Sequence, residues 1–317
     1  MVVALLFALC FSAEAQQPGK MTRVGFLGTG PVPTATTSYA PLQAFRQGLE
    51  ELGYVEGRDV VIETRWAEGR LDRLPALAAE LVGLRMDIVV GVGAVVARAA
   101  KSATTTIPIV IAVVIDPVNL VAERPGGNLT GLTTFDPQEG RKKLALLQEV
   151  VPGLARVALL GDQGLRDTLA KGYAEQARAL GLQPHSLTIA GASPDLEGVF
   201  QAIRREHADA LLVLELPATV IHHHRIAELA AQQRLPTLFP LWGSSDAGEL
   251  LGYGTRVTEA TRRLAAYVDR IVKGAQPADL PFGVVERPEL IVNLKTAKQI
   301  GLTIPPNVLA RANKVIK

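Results

Sequence analysis

Past Arg23 the chain alternates short β-branched apolar runs with segments whose apolar residues recur every three or four positions. The runs at 24–27, 60–63, 88–90, 109–113 and 129–132 are expected to be strands. Between the first two, Leu42, Phe45, Leu49 and Leu52 share one helical face, introduced by Pro41 in the first turn. Leu74, Leu77, Leu81 and Leu84 do the same for a second helix. Continuous apolar strands separated by helices imply a parallel sheet covered on both faces. The pattern then restarts, with strands expected at 157–160, near 187–189, at 210–214 and at 237–239. The helices between them bury Leu169, Tyr173, Ala177 and Leu180, then Leu196, Phe200 and Ile203, then Ile226 and Leu229. Two α/β units therefore sit in tandem, joined near 131–135. A glycine turn at 252–254 leads into an amphipathic helix carrying Leu264, Tyr267, Val268 and Ile271, ended by Gly274 and Pro277. A strand pair at 284–285 and 290–292 follows.

The first residues change the context of this fold. Residues 2–11 are an unbroken apolar run, shorter than the roughly 20 residues that span a bilayer. Ala13 and Ala15 follow in A-x-A spacing, and the chain then turns polar at Gln16. This reads as a secretory leader, residues 1–15, without the usual basic start, and it places the product in the periplasm. Cys10 is the only cysteine and lies inside the leader, behind Leu9 rather than the small residue a lipid-anchored cysteine requires. Cleavage after Ala15 leaves a soluble chain with no disulfide, thiolate metal site or cysteine nucleophile. About 300 residues remain, long for one core and comfortable for two domains. The net charge of +2 is spread without blocks, so no nucleic-acid partner is indicated, and no later apolar run is long enough for a membrane helix.

Gly28 and Gly30 follow the first strand, as in a dinucleotide-binding turn. Pro31 and Pro33 occupy the next positions, and helical spacing resumes only near Pro41. The third glycine and the acidic residue about 20 positions on are missing, and no P-loop Gly-Lys-Ser/Thr occurs. The loop is long and rich in hydroxyls (Thr29, Thr34, Thr36, Thr37, Ser38), suited to hydrogen-bonding a small polar ligand. His222, His223 and His224 are adjacent, so their side chains diverge by about 100° on a helix and cannot share one ion. No Gly-x-Ser-x-Gly elbow occurs, Ser244-Ser245-Asp246 has no placeable histidine, and no carboxylate pair converges at a strand end. The chain reads as a non-enzyme with no cofactor.

Five stretches carry a resemblance: AFRQGLEELGYVEGRDVVIETRWAEGRLDRLPALAAELV (44–82), TTTIPIVIAVVIDPV (104–118), RPGGNLTGLTTF (124–135), RIAELAAQQRLPTLF (225–239) and ELIVNLKTAKQIGLTIPPNVLARANKVI (289–316). In order and over nearly the whole chain, they resemble the ABC-transporter substrate-binding family of periplasmic binding protein type I fold, which includes binders of aromatic amino acids. The resemblance implies an α/β protein of two Rossmann-like lobes with parallel sheets joined by three crossovers. Lobe one is expected at 22–131 plus 253–280, and lobe two at 132–252 plus 281–317. A small polar solute, with an amino acid among the candidates, would lie between them and pass to a membrane permease driven by an ATPase. A monomer is implied. The alternative is a periplasmic sensing module that reads the same ligand and signals to a membrane partner.

Open α/β sheets bind ligands at the carboxyl ends of their strands. That rule selects Gly28, Thr29 and Gly30 after the first strand. It also selects Gly91, Gly93 and Ala94, whose backbone N–H groups at a helix start suit a carboxylate. Asp116 is placed to meet an ammonium. Lobe two offers Asp162, Glu215 and Leu216, with Trp242 from the aromatic stretch 239–242. Thr133 and Thr134 fall at the first crossover and Tyr253 at the second. Against the family pattern, Ala94 stands where relatives commonly carry Thr or Ser, the segment 118–124 is several residues shorter, and Gly248-Glu249 replaces a favoured Gly-Gly.

Overall fold

The structure, a computed structural model, describes residues 21–34, 37–113, 127–162, 168–191, 193–241 and 248–317. The leader, Asp116, the 118–124 segment, Trp242 and Ser244-Ser245-Asp246 lie outside the described residues.

The first half builds β1 (Thr22–Gly28), α1 (Ala40–Glu51), β2 (Val60–Trp66), α2 (Leu74–Gly83), β3 (Ile88–Val92), α3 (Ala94–Ala103), β4 (Ile109–Val113) and β5 (Leu129–Thr133). The second builds α4 (Glu139–Val150), β6 (Arg156–Asp162), α5 (Thr168–Ala179), β7 (Gln183–Ile189), α6 (Leu196–Arg205), β8 (Ala210–Val213), α7 (Pro217–Ile221), α8 (His223–Gln232), β9 (Thr237–Phe239) and β10 (Leu251–Thr255). The chain closes with α9 (Val257–Val272), β11 (Gly283–Val284), β12 (Pro288–Asn293), α10 (Leu294–Ile300), α11 (Pro306–Arg311) and β13 (Lys314–Ile316).

The strands form two sheets, ordered β11-β5-β4-β3-β1-β2 and β13-β12-β10-β9-β8-β6-β7. Among the described residues the first is wholly parallel, and in the second only the β10–β12 pairing is antiparallel. Alternation along each strand explains why both faces are covered. Val24 and Phe26 of β1, with Val110 and Ala112 of β4, pack under α1 and α9. Leu27, Ile109, Ile111 and Val113 turn the other way, under α2 and α3. In the second sheet Val157, Leu159 and Leu212 meet α4 and α5, while Ala158, Leu160, Leu211 and Val213 meet α6 and α8.

The chain passes between the sheets three times, at 134–138, at Arg256 and at 285–287. Each passage lies a few residues beyond the expected boundary, because β5, β10 and β11 run to the end of their pairing before leaving. Two expectations need correction. The glycines at 252–254 do not make a turn; they lie inside β10, paired with β12 through Tyr253↔Leu290. Segments 284–285 and 290–292 do not pair with each other. Val284 joins β5 in the first sheet, and β12 joins β10 and β13 in the second.

Candidate functional site

The two halves of the chain come near each other beyond the carboxyl ends of β2 and β8. Past β2, a Cβ built on Gly69 would stand 3.6 Å from Cδ1 of Ile221, the last residue of α7 on the other lobe. The residues selected from sequence divide between the two halves.

On the first lobe, Gly28 is packed beneath Trp66, where a Cβ would fall 2.2 Å from the indole. Trp66 is itself held edge-on by Tyr39 at 5.0 Å between centroids, with Phe26 6.2 Å from Tyr39. Burial pushes the Tyr39 hydroxyl up to about 12, against the pull of its hydrogen bond with Thr29. Backbone bonds from Ala67, Gly69 and Glu68 to the carbonyls of Gly28, Thr29 and Gly30 tie this loop to the end of β2. The hydroxyl-rich loop is partly self-satisfied: Thr34 and Thr37 join their side-chain oxygens at 2.7 Å. Gly91 packs against Val96 and the Leu27 carbonyl. Gly93 adopts φ 100°, which favours glycine, and turns the chain into α3. The first intrahelical bond runs from Ala97 N–H to the Gly93 carbonyl, and no side chain caps the helix. The amides of Ala94, Val95 and Val96 thus open the helix at the carboxyl edge of β3.

The crossovers are stitched together. Thr133 and Thr134 are buried; the Thr133 hydroxyl accepts from the Phe135 N–H at 2.9 Å, and its carbonyl accepts from the Val285 N–H at 2.8 Å. Thr134 donates its N–H to Val113. The second and third passages are joined where Thr255 Oγ1 accepts from the Arg287 N–H at 3.1 Å, and by the Arg256–Glu289 ion pair at 3.1 Å. Tyr253 is half-buried, packed against the core of the second lobe.

On the second lobe, Asp162 at the end of β6 accepts the Ala218 N–H at 3.1 Å, capping the start of α7. Leu216 is not displayed towards the gap: its side chain lies in the core, over Gly161. Thr219 bonds the carbonyls of Leu214 and Leu216 and accepts from the Leu216 N–H, pinning the loop that carries Glu215. Glu215 stands apart from all of these. Its Oε1 is shut off from solvent and has no hydrogen-bond partner. Burial pushes its carboxyl up to about 8; Lys143 opposes that shift and Glu139 adds to it.

Lys143 is the residue that sequence reasoning misses. Its side chain is 2% exposed and pairs with Glu139 Oε1 at 2.8 Å. Burial works against its charge, but Tyr173 and Glu139 outweigh it and hold the ammonium above the ordinary lysine range. Tyr173 is in turn raised by burial, against the pull of Lys143, to which it hydrogen-bonds. The signal was present in the helical period: Lys143 lies on the buried stripe of α4 with Gly140, Leu144, Leu147 and Val150. The Glu139 carboxylate abuts Gly254, where a Cβ would fall 2.7 Å from Oε1, so the charged cluster sits directly against the second crossover.

The three histidines do not converge. The His223 ring nitrogen bonds the Val220 carbonyl at 2.7 Å, its ring lies 4.1 Å from that of His224, and burial lowers the pKa of both His222 and His223. Among the described residues no group of three His, Cys, Asp or Glu side chains is arranged to hold a metal ion, and no helix is long and apolar enough to cross a membrane.

Residues 35–316 match the family described as ABC transporter substrate binding protein. A tyrosine-binding protein of Clostridioides difficile is 24% identical over 274 residues, covering 82% of this chain and 76% of that protein. Among solved structures, a conserved domain protein from Vibrio cholerae superposes with a TM-score of 0.82 at 26% identity, covering 93% of this chain and all of that one. A domain from Streptococcus pneumoniae in complex with L-Trp gives 0.79 at 22% identity, with the same coverage.

Proposed function

Because this chain belongs to the ABC transporter substrate-binding protein family, we propose that it is an exported, non-enzymatic receptor that closes its two lobes over an amino acid and delivers it to an ABC permease and its ATPase. The observation that carries this reading is Glu215. A buried carboxyl oxygen without a partner, at the carboxyl end of β8, is costly to maintain, and a ligand ammonium would satisfy it. The uncapped start of α3 on the facing lobe supplies amides and a positive helix end for the ligand carboxylate. Tyr39, half-buried and backed by the buried rings of Phe26 and Trp66, stands at the same edge of the first sheet, which suits a ring-bearing side chain. Two relatives support that choice by what they bind, tyrosine in one and L-Trp in the other.

Closure follows from differential contact. A ligand held by α3 on one side and Glu215 on the other meets both groups only when the lobes approach, so binding shifts the population towards the closed state. Selectivity comes from the unpaired groups a wrong ligand leaves behind. Leader cleavage after Ala15 and periplasmic location complete the reading.

Native mass spectrometry of the mature chain from cells tests it, followed by denaturation to release whatever came with it. A co-purified amino acid supports the reading, as does a rise in melting temperature with L-tyrosine or L-tryptophan from a panel of the twenty. A stoichiometric dinucleotide, or stabilisation by no amino acid, would overturn it.

A further inference from the structure

The cluster behind Glu215 has an uneven charge count. Lys143 is a single buried cation, and its ammonium is already committed to Glu139 at 2.8 Å and to the Tyr173 hydroxyl. That pair is neutral by itself. An ionised Glu215 adds a net negative charge beside this pair, and although the residue is only half-buried, its Oε1 is shut off from solvent and receives no donor to offset the loss of water. The groups acting on it are Lys143 and Glu139 from α4, with Tyr173 facing from α5. Lys143 alone is attractive, and Glu139 opposes it. Without ligand the cheapest way to neutralise Glu215 is to keep its proton.

We propose that the Glu215 carboxyl is a proton-exchange site for the ligand ammonium: solute enters as a cationic amine, Glu215 gives up its proton to water, and the ammonium takes the proton's place against Oε1. No covalent bond to the ligand forms or breaks. The O–H bond of the carboxyl is lost and the ligand keeps all its protons. The charges of Lys143, Glu139 and Glu215 sum to zero before, and with the incoming ammonium they sum to zero after. The inference rests on the ligand position argued under the proposed function and adds the ligand's charge class. Amines are selected, and acids of the same skeleton without the amine are not. With the carboxyl titrating at about 8, roughly nine-tenths of a proton is released per amine bound at pH 7. Affinity for the amine rises about tenfold per pH unit up to pH 7 and levels off above about 8.

The experiment is isothermal titration calorimetry on the full chain freed of co-purified solute, in phosphate and in Tris, whose ionisation enthalpies differ. L-tyrosine and L-tryptophan are compared with 3-(4-hydroxyphenyl)propionate and indole-3-propionate, which lack only the amine. Expected is a buffer-dependent heat equal to about one proton released for the amines at pH 7, fading by pH 9. The desamino acids should bind at least a hundredfold more weakly. Glu215→Gln, nearly isosteric and lacking the titrating proton, should abolish the release and close most of the gap between each pair. Amines that bind without proton release, or desamino acids that bind as tightly, overturn the exchange while leaving the receptor reading intact. Binding of none of the four overturns both the aromatic amino-acid reading and this one.

Discussion

Gly69 and Ile221 approach across the gap between the lobes, one just past β2 and the other at the end of α7. Gly69 has no side chain there, so Ile221 Cδ1 lies over its backbone, and this approach is expected to tighten as ligand draws the two halves together. Ile221→Ala removes part of it and is expected to weaken ligand binding by roughly 1 kcal/mol, about fivefold in Kd. The loss should be carried by faster dissociation. Stopped-flow release of bound amino acid checks this, and an unchanged off-rate would mean that the contact contributes nothing to closure.

Glu215 makes the ligand-free protein pH-sensitive, and the sign is the reverse of an ion-paired carboxylate. Its folded pKa of about 8 lies above the ordinary 4.5. Below pH 4.5 both folded and unfolded chains hold the proton, and the group has no effect on stability. Between there and about pH 8 only the unfolded chain gives it up, so stability falls with rising pH, by at most several kcal/mol. Glu215→Gln should therefore raise the urea midpoint of the ligand-free protein at pH 8 and leave it unchanged at pH 4. A midpoint lowered at pH 8 would count against a raised pKa.

Lys143 holds the balance of the same cluster. Lys143→Met keeps most of the volume but leaves Glu139 without its counter-charge, and breaking a buried pair from one side costs about 3–5 kcal/mol. The loss should be larger at pH 8 than at pH 5, where the bereft carboxyls can take up protons. Adding Glu139→Gln to Lys143→Met should recover part of the stability. Chemical denaturation at both pH values, completed as a double-mutant cycle, reads the coupling.

Ala94 opens α3, a helix start that no side chain caps. Ala94→Ser places an O–H beside the free amides of the helix start and is expected to tighten binding of a ligand carboxylate. One added hydrogen bond of about 1 kcal/mol corresponds to roughly fivefold. Titration with L-tyrosine and with tyramine, which lacks the carboxylate, separates this from a packing effect. Equal gains for both would place the carboxylate elsewhere.

Much of this architecture was legible because burial on both faces leaves an unmistakable local imprint. The runs 109–113 and 237–239 are strands with those bounds, and the stripe of Leu42, Phe45 and Leu49 is the buried face of α1. What escaped depends on partners far away in the chain. Gly252 and Gly254 read locally as a turn. In the sheet they are strand residues without a Cβ because Leu241 and the Glu139 carboxylate occupy that space. β11 is only two residues long, and its partner β5 lies some 150 residues earlier, so its assignment to the first sheet had no local signal. Glu215 was selected by the strand-end rule, but its lack of a partner was not readable. Lys143 was overlooked because a lysine in a helix ordinarily faces water. Tyr173 and Glu215, from other segments, decide otherwise. Leu216 was selected by the same rule as Glu215 and proved to be core, because its side chain packs over Gly161 among the apolar residues beneath α4 and α5.

The returning segment has a consequence for the order in which the molecule can be made. α9 seals α1, β4 and β5 from residues 257–272, and the edge strand β11 arrives only at 283–284. A chain emerging from the ribosome therefore cannot finish its first lobe before it has synthesised nearly all of the second. The part of α1 that meets α9 waits uncovered through most of that time. The fold withholds its own completion until almost the last residues are present.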